Sequence, residues 1–271
     1  MTAPLSPAAA AFDAAAPGFD MRFGAWASVA AQRRAVRAAL LREFPARGRI
    51  LELGGGTGED AAFLAAQGFQ LVLTDPSPRM VAIAQNKLAP WGGRTEVAAA
   101  DDLATFASRH FSAGGKRFDG AFSNFAPLNC VAGLASTAEG LARLLRPGAA
   151  AMLVVFGTFC PGEMVTEILL GRPEQAFRRF RRGPVSARLA GREFTVFYHR
   201  RAALQRAFAP WFVLEKRIGI GVAVPPSAAE PWISRHPGLL SLMESFDRAT
   251  GRLLAALGDH VLYLFRRTEA E

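Results

Sequence analysis

A glycine-rich turn is the first feature of this chain whose residue types and spacing suit ligand binding. The turn, ELGGGTG at residues 52–58, has glycines at the alternate positions Gly54, Gly56 and Gly58. Glycine lets a backbone turn tightly and approach a ligand closely, and a helix that begins after the turn offers unpaired N–H groups. The spacing differs from that of dinucleotide-binding and phosphate-binding loops. Because residues 59–60 are both acidic, we expect a ligand with a cationic group or without phosphate.

Carboxylates follow this turn at two further places. Asp75 comes about 20 residues after the turn, the interval at which an acidic residue accepts both hydroxyls of a ribose. Asp101 and Asp102 follow later, where a carboxylate can accept from an adenine amino group. Together the turn and the acids predict a site for a nucleoside.

Strand and helix patterns alternate around these residues. The strand patterns cover Arg49–Leu53, Gln70–Thr74, Arg94–Ala99, Phe118–Asn124, Ala149–Phe156, Phe212–Val224 and Val261–Arg267, and the main helical patterns cover 26–44, Asp60–Gln67, Arg79–Leu88 and Glu230–Leu257. Alternation of this kind predicts a parallel sheet with helices on both faces. Ligands of such sheets bind at the carboxyl ends of the strands, which together form what we call the ligand edge.

The chain of 271 residues is expected to form one domain with a leader and two insertions. Residues 1–25 are small and apolar without a signal-peptide pattern, so we expect a flexible leader. The domain would span 26–271. Segments 157–211 and 225–258 would emerge over the ligand edge as a lid, the first with a hairpin about Ala190-Gly191.

These motifs, in this order, resemble the class I S-adenosylmethionine-dependent methyltransferases. The resemblance rests on the turn at 52–58, Asp75, the segment 101–103 and FDGAFSN at 118–124, and it covers about Arg49 to Phe156. It implies a doubly wound α/β fold: a seven-stranded, mostly parallel, Rossmann-like sheet whose last strand is antiparallel. It also implies S-adenosylmethionine as the cofactor.

The resemblance further implies which residues contact that cofactor. Gly54 and Gly56 would pack under the methionine moiety, in a loop that Glu52 orders and Gly58 ends. Asp75 would hold the ribose. The remaining contacts would be Pro76 or Ser77 beside the adenine, Asp101 or Asp102 with Leu103 at the adenine amine, and Ser123 and Asn124 beside the methyl group.

Two histidines are candidates for a catalytic base. Methyl transfer requires an aligned nucleophile and, for a hydroxyl acceptor, removal of its proton. Because the last strand is antiparallel, its start lies at the ligand edge, which favours His260 beside Asp259; His199 in the first insertion is the other candidate. His110 and His236 are expected on the surface.

The insertions suggest the class of acceptor. Nine arginines against two glutamates lie between Arg172 and Arg201, with many aromatic residues nearby. Such a lining favours a small apolar or aromatic substrate with an anionic group, free or bound to a carrier. Asn129, Tyr198 and Trp232 are candidate substrate contacts. Alternatives are an RNA- or protein-directed methyltransferase, favoured by the arginines, and a non-catalytic module that binds the cofactor.

Composition limits the remaining possibilities. The chain is 51% hydrophobic, carries a net charge of +9 and has two cysteines, too few for a disulfide framework or a cysteine zinc site. No stretch reaches the roughly 18 apolar residues of a membrane-spanning helix. We therefore expect a cytoplasmic protein without a metal. Nucleic acid is the less favoured partner, because the segment SNFAPLN lacks the N/D-P-P-Y pattern of nucleobase methyltransferases.

Overall fold

The structure, a computed structural model, describes residues 4–269 and is built on a seven-stranded sheet. The strands are β1 (Arg49–Leu53), β2 (Gln70–Asp75), β3 (Arg94–Val97), β4 (Phe118–Ser123), β5 (Leu145–Phe156), β6 (Pro184–Leu189), β7 (Arg192–Phe197), β8 (Phe212–Ile220) and β9 (His260–Arg267). The sheet order is β3-β2-β1-β4-β5-β9-β8. Strands β1 to β5 pair in parallel, and β9 runs antiparallel to both neighbours, which confirms the predicted fold.

Helices cover both faces of this sheet. They are α1 (Pro7–Ala15), α2 (Phe19–Phe23), α3 (Ala27–Glu43), α4 (Glu59–Ala66), α5 (Pro78–Leu88), α6 (Leu103–Ser112), α7 (Ala135–Leu144), α8 (Pro161–Leu169), α9 (Pro173–Ala176), α10 (Arg201–Phe208) and α11 (Pro237–Thr250). One apolar layer joins the sheet to α6, α7 and α10, and the other joins it to α3, α4 and α5. Side chains of a strand alternate between faces, so Leu153 belongs to the first layer and Val154 to the second. None of the helices within residues 4–269 is long and apolar enough to cross a membrane.

The described part of the expected flexible leader is folded, which corrects that expectation; residues 1–3 lie outside the described residues. Ser6 accepts a hydrogen bond from the Ala9 amide and thereby caps α1. Ala9 and Ala11 are buried, and Phe12 packs edge-on against Phe194 of β7. The alanines of this segment have small side chains, which let α1 approach the hairpin of β6 and β7 closely.

The two expected insertions differ from their prediction. The hairpin of β6 and β7 turns at Ala190-Gly191 as expected. Helix α10 lies on the sheet, with Leu204 and Phe208 in the core, so the lid is shorter than 157–211. Helix α11 is shorter than predicted, and its Leu240, with Ile233 just before the helix, packs against Ala31 of α3. It therefore supports α3.

Strand β8 ends before its predicted limit at Val224. The backbone has a positive φ at Gly221, and the Asp247 carboxylate of α11 then accepts from the amides of residues 222–224. Since the amides bond to a side chain, they cannot continue the sheet. Val222 and Val224 are of a type that favours strands, so the sequence did not indicate that the amides of residues 222–224 bond to Asp247.

Histidine 110 lies in the core, contrary to the expectation of a surface position. Its ring stacks on Phe106 and Phe118, and Nε2 lies 3.0 Å from the Lys116 carbonyl. His236 is exposed, as expected. Aromatic neighbours from α6 and β4 therefore explain the burial of His110, which the sequence pattern alone did not indicate.

A glycine in α7 allows α6 to begin next to the ligand edge. A Cβ at Gly140 would lie 2.3 Å from the Cβ of Leu103, whereas a Cβ at Gly238 in α11 would meet nothing within 4 Å. We expect Gly140→Ala to lower the free energy of unfolding by about 1–3 kcal/mol through overpacking. The matched change Gly238→Ala should leave stability unchanged or raise it by up to about 1 kcal/mol. Urea unfolding followed by circular dichroism measures both, and equal stability of Gly140→Ala and the wild type would contradict the packing.

Candidate functional site

The three alternate glycines of the turn serve different purposes. All three have positive φ, at 62°, 55° and 82°, so each is strained for other residues. A Cβ at Gly54 would lie 2.4 Å from Pro127, and one at Gly58 would lie 3.0 Å from Ala84. A Cβ at Gly56 would meet nothing within 4 Å. Gly56 therefore faces open space at the ligand edge, which we call the cleft. Gly54, in contrast, lies against the loop after β4.

Asp75 lies beside Gly56 and is held by two backbone amides. Its Oδ2 accepts from the Gly56 amide at 2.9 Å, and its Oδ1 accepts from the Ser77 amide at 2.8 Å. Burial raises the pKa of Asp75 to about 6, although both amide bonds act to lower it. Each carboxylate oxygen keeps a further lone pair. The structure thus brings together the open glycine and an oriented carboxylate, with Pro76 half-buried next to them.

Glu52 lies buried at the end of β1, below the turn. Burial, together with the nearby carboxylates of Asp60 and Asp75, raises the pKa of Glu52 well above its usual range. Its Oε2 has no hydrogen-bond partner among residues 4–269. A buried acid with an unpaired oxygen favours a cationic group near it.

Ser123 and Asn124 do not face the cleft as expected. The fully buried Ser123 hydroxyl donates to the Leu53 carbonyl at 3.0 Å and so joins β4 to β1. The Asn124 amide donates to Asp60 at 2.8 Å, and its oxygen accepts from the Phe125 amide. Both side chains therefore fix the loop, and their hydrogen-bonding groups are used within the protein.

The loop after β4 brings an aromatic side chain to the cleft through unusual backbone angles. Phe125 and Ala126 both have positive φ, at 56° and 62°, a conformation that is costly for residues other than glycine. The Phe125 ring lies 4.8 Å from the Arg33 guanidinium and 5.8 Å from the His260 ring. Neither residue type signals a positive φ, so sequence reasoning missed this loop.

Asp60 lies next to the turn and is bonded to several neighbours, whereas from the sequence only its negative charge was considered. It lies at the start of α4, almost completely buried. Arg37 donates to it at 2.6 Å and Arg33 at 3.3 Å. These pairs attach the first turn of α4 to α3. In the sequence, the arginines of the helical pattern at 26–44 were the feature that could have indicated these pairs.

The two adjacent acids after β3 are both exposed, but only one of them has a hydrogen bond to another described residue. Asp102 accepts from the Thr105 hydroxyl at 2.6 Å and precedes α6. Asp101 is exposed, and its carboxylate has no partner within residues 4–269. Leu103 is buried as the first residue of α6. The structure therefore favours Asp101 over Asp102.

Two aspartates of the N-terminal helices contact the turns after β1 and β2. Asp13 accepts from the Ser77 hydroxyl at 2.8 Å, and Asp20 accepts from the Thr57 hydroxyl at 2.5 Å. The residues that bind them belong to the turns after β2 and β1. Sequence reasoning missed both, although each follows a phenylalanine in an otherwise alanine-rich segment.

His260 lies at the ligand edge as the first residue of β9. Its ring stacks on Phe156 with centroids 4.9 Å apart, and its Nδ1 lies 3.3 Å from Oδ2 of Asp259. Burial opposes ionisation of Asp259, but His260 and Arg179 keep the pKa of its carboxyl well below the usual range. The candidate base therefore has a charged carboxylate beside one ring nitrogen.

One arginine of the charged segment is buried beside this pair. Arg179 donates to Oδ1 and to the carbonyl of Asp259, both at 2.6 Å, and to the Gly157 carbonyl at 3.1 Å. It also pairs with Glu163. Its guanidinium lies 5.2 Å from the centre of the Phe156 ring. Arg179 thus connects the lid to the start of β9, which a count of charges did not indicate.

Two other candidates hold the lid in place. The Asn129 oxygen accepts from the Phe156 amide at 3.0 Å, and its amide donates to the Phe197 carbonyl at 2.5 Å. His199 Nε2 lies 3.0 Å from the Leu128 carbonyl, and burial lowers its pKa. Asn129 is therefore fully buried and bonded to two backbone segments, and His199 is bonded to a backbone carbonyl.

Tyr198 and Trp232 lie in different environments. The half-buried Tyr198 ring packs 5.9 Å from Phe156, and burial raises its pKa. Trp232 is half-exposed and packs on His236. In the described part of the chain, Trp232 has no ring contact or hydrogen bond to the residues around His260. Tyr198 thus joins the aromatic wall, and Trp232 does not.

Comparison with known proteins identifies the family. A profile described as a methyltransferase domain matches residues 26–208. A search of curated proteins found no match.

Solved structures with the same fold include three from work on methyltransferases. An S-adenosylmethionine-dependent methyltransferase from Listeria monocytogenes is 15% identical, with a TM-score of 0.57 over 87% of this chain and 99% of that one. The 1,6-didemethyltoxoflavin-N1-methyltransferase of Burkholderia thailandensis is 20% identical, with a TM-score of 0.52 over 100% and 94%. A Haloferax volcanii protein solved with the Trm112 methyltransferase activator is 17% identical, with a TM-score of 0.54 over 99% and 100%.

The matched segment covers more than half of the chain. It contains the turn with its open glycine, the Asp75 carboxylate bonded to that turn and the acids after β3. The identities with the solved structures are low and show the fold alone. The profile match shows the family, and the chain therefore belongs to the methyltransferase-domain family and is an S-adenosylmethionine-dependent methyltransferase.

Proposed function

We propose that this enzyme methylates a small molecule with an apolar or aromatic body and an anionic group, free or bound to a carrier. The observation that carries the proposal is an aromatic wall at the ligand edge, made of Phe125, Phe156, Tyr198 and His260. Cationic groups adjoin it, since Arg33 lies over Phe125. Aromatic surfaces with a few oriented charges are typical of sites for small molecules.

The cofactor contacts that we propose follow from the geometry of the cleft. Gly56 leaves open space for the cofactor, and Asp75 presents free lone pairs to the ribose hydroxyls, with Pro76 beside the base. Asp101 is available to the adenine amine. Glu52 offers a buried, unpaired oxygen to the positive charge of the amino acid moiety. When bound, S-adenosylmethionine supplies a methyl group that is already activated by its sulfonium.

We further propose His260 as the base for an acceptor that must lose a proton. A proton on Nδ1, facing Asp259, leaves Nε2 as the acceptor. Since His199 is attached to a backbone carbonyl, it is the weaker candidate. The aromatic wall also excludes water from the acceptor, so the main role of the chain is alignment.

A second candidate function is methylation of RNA or protein. The observation that favours it is the exposed arginines of the lid segment, such as Arg181, Arg182 and Arg192. Binding to RNA through such residues would fall steeply with salt concentration. The labelling experiment at the end of this subsection separates this function from the first.

Asp75 should make cofactor binding depend on pH. Because its pKa is raised to about 6, the carboxyl is protonated below that pH and accepts ribose hydroxyls fully only above it. We expect the affinity for S-adenosylhomocysteine to rise as the pH passes upward through about 6. Asp75→Asn should lower the affinity about 10–100-fold at neutral pH and flatten this profile. Isothermal calorimetry with the exposed control Glu139→Gln tests this, and an unchanged profile in Asp75→Asn would count against the ribose role.

Gly56 should be required for cofactor binding because a side chain there would enter the cleft. Gly92 has a similar φ of 66° and equally open surroundings, far from the turn in sequence. Alanine at either position should cost about 1–2 kcal/mol of stability through backbone strain. Only Gly56→Ala should also lower the affinity for S-adenosylhomocysteine, and Gly56→Val should abolish it. Equal affinities of Gly56→Ala and Gly92→Ala would place the cofactor elsewhere.

The acceptor class can be tested with methyl-labelled cofactor and cell extract. We expect label in a small, solvent-extractable product that survives ribonuclease and protease. His260→Ala should slow this labelling by about 10²–10⁴-fold, while the exposed control His236→Ala should not. Label confined to RNA or protein would overturn the small-molecule proposal, and a full rate in His260→Ala would overturn the base assignment.

A further inference from the structure

Helix α8 in the lid has its polar and apolar sides reversed. Glu163 and Glu167, one turn apart, face inward with side chains only 3% and 6% exposed. Val165, Ile168 and Leu169 face outward and are 58%, 51% and 81% exposed. A helix at a solvated surface shows the opposite arrangement, with apolar residues inward and charges outward. The outer side of α8 is therefore composed as a contact surface.

Ion pairs hold α8 in this orientation. Glu163 pairs with Arg178 at 2.5 Å and with the buried Arg179, and Glu167 pairs with Arg172 at 2.7 Å. Removing a buried charge from its partner is strongly unfavourable. The helix thus cannot turn its outward apolar side chains inward without breaking three pairs, so their exposure is a property of the fold.

Aromatic side chains continue this surface. Phe159, which precedes α8, packs 5.9 Å from Phe180, and Phe177 packs 6.2 Å from the same ring. All three are exposed, as is Leu170. We call the set the lid face; its members are Phe159, Val165, Ile168, Leu169, Leu170, Phe177 and Phe180. Exposed apolar side chains grouped on neighbouring elements mark interaction sites on proteins, and α8 lies against α9, which ends next to Phe177.

Positive charge borders the lid face. Arg181 and Arg182 directly follow Phe180 and are exposed, and neither side chain forms an ion pair within residues 4–269. The segment from Arg172 to Arg201 holds nine arginines against two glutamates. A second copy of the chain would bring the same positive charge to the contact. The surface therefore favours an anionic partner.

The shape of the lid face distinguishes among anionic partners. Leu169 is 81% exposed and Val165 and Ile168 are more than half exposed, so an acidic protein would need a surface shaped to bury them. A bilayer accepts projecting apolar side chains at its interface and attracts arginines to anionic headgroups. We propose that the lid face docks this enzyme onto the surface of an anionic lipid bilayer.

Docking there would place the membrane next to the catalytic cleft. Glu163 of α8 contacts Arg179, and Arg179 contacts Asp259 beside His260. An acceptor dissolved in the bilayer would therefore lie one helix away from the proposed base. The docking surface is inferred from the lid alone and does not depend on which acceptor is methylated.

Sedimentation with vesicles tests the proposal. The full chain is mixed with phosphatidylcholine vesicles with and without phosphatidylglycerol. We expect binding to the anionic vesicles, weaker binding to the neutral ones, and loss of binding at high salt. Leu169→Gln should weaken binding about tenfold or more, since its side chain leaves the lipid. The double variant Arg181→Gln/Arg182→Gln should lower binding to anionic vesicles only.

Matched controls keep this test specific. Leu253 is as exposed as Leu169 but lies after α11, and Arg143 is exposed on α7. Leu253→Gln and Arg143→Gln should bind vesicles like the wild type. Unchanged affinity for S-adenosylhomocysteine shows that each variant is folded. Absence of binding to anionic vesicles, equal binding by Leu169→Gln and wild type, or a dimer in light scattering that Leu169→Gln abolishes would each overturn the proposal.

Discussion

The carboxylate of Asp75 joins the two loops on which the site is built. It accepts one amide from the turn after β1 and one from the turn after β2, so the two strand ends keep a fixed separation. Since β1 and β2 are parallel neighbours, their carboxyl ends meet at the same edge. The open side of Gly56 and the free lone pairs of Asp75 then face one space. The N-terminal helices, through Asp13 and Asp20, attach to the same two loops.

Buried charge fixes the other half of the cleft. Asp259 lies among Arg179, His260 and the Gln32 amide, which donates to it at 3.1 Å. A buried ion pair contributes little net stability compared with apolar packing, but loss of one partner is costly. The network therefore specifies position: it holds the lid, the start of β9 and α3 in one arrangement around the aromatic wall.

Prediction from the sequence was successful where one short segment contained the whole signal. Each strand pattern of the Rossmann-like core was found with small errors at its ends, because alternation of apolar and polar residues is a local property. The cofactor contacts of Gly56, Asp75 and Asp101 stay predictions that rest on the order and spacing of these residues. Ser123 and Asn124 were predicted wrongly, since the partners that take up their polar groups, Leu53 and Asp60, lie more than sixty residues away.

The sequence by itself determined which segments along the chain form strands, where the glycine-rich turn lies, and the family. Only the tertiary structure decided which glycine is open, which of two neighbouring acids is free, and that one arginine of a charged run is buried beside Asp259. It also decided that the described part of the leader is folded and that α8 exposes its apolar side. The physical reason is that burial and hydrogen-bond partners depend on residues distant in the chain, whereas periodicity and turn propensity depend on neighbours.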